Sequence, residues 1–277
     1  MKAVFQLTPA ESKRLIAKAV VEMEEVKAAN DRGYVIIPGG TTNAYVVEEL
    51  LGAELEPQRY TAGISASRVL CVTDAAERHP FPTVIHRGRV VDKTMVEALE
   101  DFHKETVMIK GANSVDPEGN VGVITSGWDG GTVGNSIGIM TSTGLKYIAP
   151  VGLEKLVASV PEAVRLTGAK SYDHSMGATF GMFILTNALV VTEIQALGIL
   201  AGIEAHHVAS GGVGGSEGAV VLIAVGDEER VEKAISIVES IKGEPPVPPA
   251  KRNCRDCPYP CQFQGLLEDE LPVWLRG

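Results

Sequence analysis

Apolar positions first fall into register just after Thr8-Pro9-Ala10-Glu11, where Leu15, Ile16, Ala19, Val20, Met23 and Val26 recur at helical spacing. Thr8 and Glu11 have the spacing of a capping box, and Pro9 occupies the first helical position. The pattern therefore predicts one long amphipathic helix over 9–30, ended by Arg32-Gly33. Tyr34-Val35-Ile36-Ile37-Pro38 is a short apolar run of strand type, and the turn Gly39-Gly40-Thr41-Thr42-Asn43 follows it. Residues 44–51 then place Val46, Val47, Leu50 and Leu51 on one helical face, with Gly52 as the stop. The unit reads strand, glycine turn, helix.

Further strands are expected at 67–73, 82–86, 106–110, 121–125 and 145–149, separated by helical patterns at 93–100 and 154–166. Such alternation predicts an α/β protein with a mostly parallel sheet and helices on its faces. The stretches 182–191, 193–201, 202–209, 219–225 and 227–242 read as strand, helix, strand, strand, helix, an order that suits a small α+β domain of split βαβ type. Pro245-Pro246-Val247-Pro248-Pro249 is a stiff extended spacer, expected to hold the cysteine segment apart from the rest of the chain. The organisation expected is thus a larger α/β domain over 1–180, a small α+β domain over 181–244, and a proline-rich linker with a cysteine tail over 245–277.

The whole-chain numbers narrow the function classes. With 277 residues and 45% hydrophobic composition, the chain can bury a substantial core. Its 35 acidic and 25 basic residues give a net charge of -10, which leaves no long electropositive surface for a nucleic-acid backbone. The residues from Met1 to Gln6 lack the apolar core of a secretory signal, and the longest apolar run, 182–191, contains Thr186 and Asn187 and is too short to span a bilayer. A cytoplasmic protein without membrane or nucleic-acid partners is expected.

The cysteines are Cys71 alone and Cys254, Cys257 and Cys261 together, at spacings of two and three intervening residues. Thiolates so spaced can wrap a zinc ion or an iron–sulfur cluster, although a tail disulfide or free thiols fit the same spacing. Three ligands are one short of a closed site. The fourth would come from Cys71, a histidine, an exogenous group or another subunit. Leu271-Pro272-Val273-Trp274-Leu275 offers an apolar anchor that would pack the tail on the body or on a second subunit.

Three loops could carry chemistry. The Gly39-Gly40 pair lets the backbone bend sharply at the exit of a buried strand, while the next helix points free N–H groups and its positive dipole end into the same space. Thr41, Thr42 and Asn43 add side-chain donors, so the turn could hold a phosphate or carboxylate; it could also be only a tight connection. The polar segment Lys110 to Asn120 follows an expected strand: Lys110 would supply a cation, and Asp116 or Glu118 a carboxylate for proton transfer, unless the segment is a salt-bridged surface turn. Gly130, Gly131 and Thr132 allow close approach of backbone to ligand, or mark a hairpin or lid. Asp173-His174 could shuttle protons, and the glycine-rich loop 210–216 lies between two expected strands.

These segments carry a resemblance. Residues 35–51, with the run GGTTNAYVVEEL, resemble the phosphate-loop strand, turn and helix of ribose-5-phosphate isomerases and DeoR-type sugar sensors. IKGANSVDPEGN at 109–120 and YIAPVGLEKLVASVPEA at 147–163 are similar to segments of the lactate-utilisation (LUD) proteins of the same NagB/RpiA/CoA-transferase-like superfamily. The likeness spans roughly 34–165. It implies a Rossmann-like core whose ligand crevice is formed by the Gly39 turn, the Lys110 loop with Gly111 and Asn113, and the Glu154-Lys155 pair, with Lys110, Asp116 and Glu154 as candidate catalytic groups. The chain has KGANSVD where pentose-phosphate isomerases carry an acidic pair ahead of their lysine segment, which departs from the isomerase pattern. The superfamily contains isomerases, transferases, ligases and sensors. The expectation is a homo-oligomeric protein that binds and transforms a small phosphorylated, carboxylated or CoA-linked metabolite; the competing readings are a metabolite sensor and a metal- or iron–sulfur-bearing redox or assembly subunit.

Overall fold

The computed structural model describes residues 1–101 and 103–276. The chain opens with a strand, β1 (Lys2–Leu7), followed by α1 (Pro9–Glu22), α2 (Glu24–Arg32), β2 (Tyr34–Ile37) and α3 (Thr41–Leu51). The Thr8 hydroxyl accepts from Glu11 N while Glu11 Oε2 accepts from Thr8 N, so the capping box forms as its spacing predicts. The single helix expected over 9–30 is instead two. Met23 adopts extended backbone (φ -63°, ψ 137°), ending α1 and capping α2, and the bend lets Val26 and Ala29 of α2 enter the same core as Leu15 and Ile16 of α1.

Next come β3 (Gly63–Ala66), β4 (Val69–Val72), β5 (Thr83–His86), β6 (Arg89–Val90), α4 (Met95–Glu100), β7 (Val107–Ile109), β8 (Ser114–Val115), β9 (Val121–Thr125), α5 (Gly131–Thr143) and β10 (Lys146–Pro150). The last third holds α6 (Val160–Arg165), β11 (Gly181–Leu185), β12 (Leu189–Val191), α7 (Glu193–Ala201), β13 (Glu204–Ser210), β14 (Val220–Val225) and α8 (Glu228–Ile241). The result is a mixed α/β fold with several sheets.

The central sheet has the order β12-β10-β7-β2-β5-β6. Its first four strands run parallel, and the β5–β6 hairpin is antiparallel, so the sheet is mixed. Both faces of its parallel strands are buried. Val35, Ile37, Val107, Ile109 and Ile148 join one core, whereas Ile36, Met108, Tyr147 and Ala149 join the other, the alternation a pleated strand imposes. The first core also holds α1, α3, α7, α8 and the antiparallel sheet β1-β14-β13. Leu7 at one end of the chain and Val220 and Leu222 near the other are therefore fully buried together. The second core holds α5 and the sheet β11-β9-β8.

Two expected elements divide. The apolar run 182–191 becomes β11, antiparallel to β9, and β12, parallel to β10, with Thr186 and Asn187 between them. The pattern at 154–166 becomes a single 3-10 turn, Leu153–Lys155, and the short α6. Leu156 bridges to Val115 of β8, which keeps the chain extended until Pro161 can start the helix.

The proline spacer is not a free tether. Arg252 N donates to Val72 O (2.8 Å), and Phe263, Leu271 and Leu275 are buried against Val69. Among the described residues no helix is long and apolar enough to cross a membrane.

Arg14 joins three elements on one side of the core. It pairs with Glu48 (2.7 Å), Glu49 (3.0 Å) and Glu244 (3.0 Å), and its guanidinium lies 4.4 Å from the centre of the Tyr45 ring. Arg14→Met leaves three carboxylates facing one another in a half-buried pocket that water still reaches. The expected cost is about 2 kcal/mol, read by urea denaturation; a change below about 0.5 kcal/mol, the size of an ordinary surface substitution, would show the cluster to be passive.

Candidate functional site

Parallel strands β2, β7 and β10 are neighbours, so the segments leaving their carboxyl ends meet along one edge of the sheet. They are the Gly39 turn, Lys110 to Asn113, and residues 151–155. A cleft of about 950 Å³ opens there, lined by Gly39, Gly40, Thr41, Thr42, Lys110, Gly111, Asn113, Gly130, Gly131, Thr132, Glu154 and Lys155. Twelve of the residues singled out for metabolite chemistry thus face one space. Asn43, Asp116 and Glu118 do not.

Asn43 is fully buried. Its Nδ2 donates to Pro38 O (2.7 Å) and Ile109 O (2.9 Å), and its Oδ1 accepts from Gly111 N (3.2 Å). It ties the ends of β2 and β7 together. Asp116 accepts from Asn120 N (2.9 Å), Asn120 Nδ2 (3.0 Å) and Val160 N (2.9 Å), which folds its own loop and caps α6. Burial pushes its carboxyl up, but these hydrogen bonds outweigh that and hold it below the usual carboxylate range. It has the bonding of a structural group.

The turn is set by Tyr60, a residue that no sequence pattern singles out. Gly40 N donates to Tyr60 O (2.7 Å), the Tyr60 hydroxyl bonds Ile37 O (2.6 Å), and Thr83 N donates to that hydroxyl (3.1 Å). Burial pushes this phenol up to about 12. The Phe81 ring stands 3.1 Å from where a Cβ on Gly39 would sit, so the turn has little room for a side chain. Gly40 offers no side-chain cap to α3, which leaves that helix presenting its first-turn N–H groups to the cleft.

The segment around Gly130 opens a second helix rather than a hairpin. Gly130 has φ 78°, and an added Cβ would meet the Phe183 ring at 2.7 Å. Asp129 accepts from Gly131 N (2.9 Å) and from Asn135 Nδ2 (3.3 Å), so the start of α5 is already capped.

Charge inside the cleft is uneven. Lys13 and Glu154 neutralise each other at 2.9 Å. Lys110 Nζ donates to Gly39 O (3.1 Å) and Lys155 Nζ to Ala112 O (3.2 Å), and among the described residues neither ammonium forms a direct ion pair with a carboxylate, although the charges of Glu154 and Glu193 act on Lys155 from farther off. Burial depresses both, to about 8; the charge of Lys155 adds to the effect at Lys110, and that of Lys13 adds to it at Lys155, where Glu154 and Glu193 oppose it. Behind Lys155, at the exit of β12, the fully buried Glu193 accepts from Leu153 N (2.9 Å) through Oε2, while its Oε1 has no partner. Burial raises this carboxyl against the hydrogen bonds from Ser12 and Leu153. A lone glutamate opening a helix gives no sequence signal of this role. Asp173 and His174 are exposed and lie outside the cleft.

All four cysteines are free thiols, and all four line a second, small cavity beside the first. The sequence placed three of them together; the structure adds Cys71, from β4. Burial pushes the Cys71 thiol up, opposed by the Val72 backbone, and nearby Cys257, Lys251 and Cys254 also act on it. Among the described residues no three His, Cys, Asp or Glu side chains are grouped to hold a single metal ion. No family model matches the chain, and no curated protein or solved structure matches it either.

Proposed function

We propose that the chain binds and transforms a small anionic metabolite, phosphorylated, carboxylated or CoA-linked, on a Rossmann-like core of the NagB/RpiA/CoA-transferase-like kind. One observation carries the reading: two lysines that form no direct ion pair, Lys110 and Lys155, project into a cleft that also receives the uncapped N-terminus of α3. An ammonium held out of bulk water without a direct ion-pair partner is costly, and an anionic ligand supplies one. The anion would lie between the backbone amides and side-chain hydroxyls of Thr41 and Thr42 and the two ammonium groups. Lysines brought down to about 8 exchange protons near neutral pH, so either can donate to an oxygen on which negative charge develops. Glu154, held in the cleft by Lys13, is the carboxylate placed to accept a proton.

Calorimetric titration against sugar phosphates, hydroxy acids and acyl-CoA thioesters tests the reading. Thr41→Ala combined with Thr42→Ala is expected to weaken binding by about tenfold, the loss of one or two charge-assisted hydrogen bonds. Unchanged affinity would remove the Thr41 and Thr42 hydroxyls from the anion site. Tight binding with no product from any of these compounds would identify a sensor instead of an enzyme.

A further inference from the structure

Cys71 lies on a hairpin of the body, about two thirds of the chain's length before Cys254, Cys257 and Cys261, yet it faces the same cavity. The tail is fastened in place by contacts that serve this approach. Arg252 N bonds Val72 O, the residue after Cys71, and Gly265 N bonds Cys254 O (3.0 Å), closing the cysteine loop on itself. Phe263 stacks edge-on against Trp274 (5.6 Å), and the tail's buried side chains gather around Cys254. None of the thiols is spent in a disulfide.

The chemistry of the lining is selective. It holds no histidine, aspartate or glutamate, so the donor set is sulfur alone. Lys251 and Arg252 are the charged residues in it, with Lys251 Nζ 3.5 Å from Cys254 Sγ. Two cations beside four thiols offset the negative charge that four thiolates bring to a metal centre. The thiols share a cavity, but no three are grouped for one ion. A polynuclear centre, in which the metal and sulfide atoms of the core stand between the ligands, does not ask three thiolates to meet on one ion as a single zinc does.

We propose that Cys71, Cys254, Cys257 and Cys261 together ligate one iron–sulfur cluster, with Cys71 as the ligand supplied by the body. The cluster is set into the wall of the metabolite cleft, because Leu70, Cys71, Val72, Ala178 and Tyr259 line both spaces. This places a reducible centre beside the bound metabolite. The assignment stands on the thiols and is independent of what the cleft binds.

The full chain is purified without oxygen and reconstituted with ferrous iron and sulfide. Iron and sulfide in equal amounts, with a broad visible absorbance bleached by dithionite, is the expected result. Cys71→Ser should lower bound iron at least twofold while the far-ultraviolet circular dichroism stays that of the parent. Should that variant fail to fold, alkylation of the reconstituted parent gives the answer: all four cysteines should be shielded, and all four should react after the iron is chelated. Zinc in place of iron, no metal at all, a full cluster in Cys71→Ser, or free alkylation of Cys71 beside an intact cluster would each overturn the assignment.

Discussion

Replacing Lys110 and Lys155 together by methionine is expected to abolish anion binding while raising stability at neutral pH. Each charge-assisted contact contributes about 1.5–3 kcal/mol, so each single change should weaken affinity roughly 10- to 100-fold. Stability moves the other way because methionine keeps the packing of the stem and removes an ammonium that the fold desolvates. The pH dependence carries the same opposition. Both lysines sit at about 8 in the fold, against 10.5 ordinarily. Below 8 they are charged in the folded and unfolded chain alike, and the desolvation cost is fully present. Between about 8 and 10.5 the unfolded chain binds more protons than the folded one, so their contribution to stability rises with pH. Anion affinity falls across that window as the ammonium groups lose their protons. Binding near pH 8 should take up protons, which calorimetry in buffers of different ionisation enthalpy measures directly. Affinity independent of pH from about 7 to 10, given the ordinary lysine value, would remove both lysines from the site.

Much of this site can be read from residues that act locally. The Thr8 capping box and the stop at Gly52 form as written because each needs only its own neighbours. The strand, turn and helix around Gly39 is legible for the same reason, and so is Lys110 as a residue just beyond a strand end, whereas Lys155 is legible only through the resemblance carried by 147–163. What long-range pairing decides is hidden. In β1 the inward positions are Ala3, Phe5 and the fully buried Leu7, but the adjacent Val4, 69% exposed, blurs the alternation, and the partner strand lies in the last third of the chain. The bend at Met23 has neither glycine nor proline to announce it. Asp116 looks catalytic in a polar loop, and only the approach of Val160 N shows its carboxylate to be engaged. A solitary Cys71 carries no pattern until the tail folds back on it.

Asn43 shows how far a side chain's role depends on which way it points. In sequence it is one more donor in a glycine turn; in the structure it faces away from the cleft and holds the ends of β2 and β7 in register with three hydrogen bonds. Asn43→Ala leaves the carbonyls of Pro38 and Ile109 and the amide of Gly111 buried without this partner. At about 1–3 kcal/mol for each unsatisfied group, less the part that relaxation recovers, the expected loss is roughly 4 kcal/mol. For a chain of this size that corresponds to a fall in Tm of about 8–15 °C. Asn43→Asp should be no better, because a carboxylate cannot donate to two carbonyl oxygens and would repel both. Thr41→Ala, whose side chain is partly exposed at the cleft, should melt within about 2 °C of the parent, as an ordinary surface substitution does. Scanning calorimetry of the three variants separates the strut from the ligand donor. If Asn43→Ala melts with the parent, the strands are held by their own ladder and packing, and the Asn43 side chain is not the strut that its three hydrogen bonds make it.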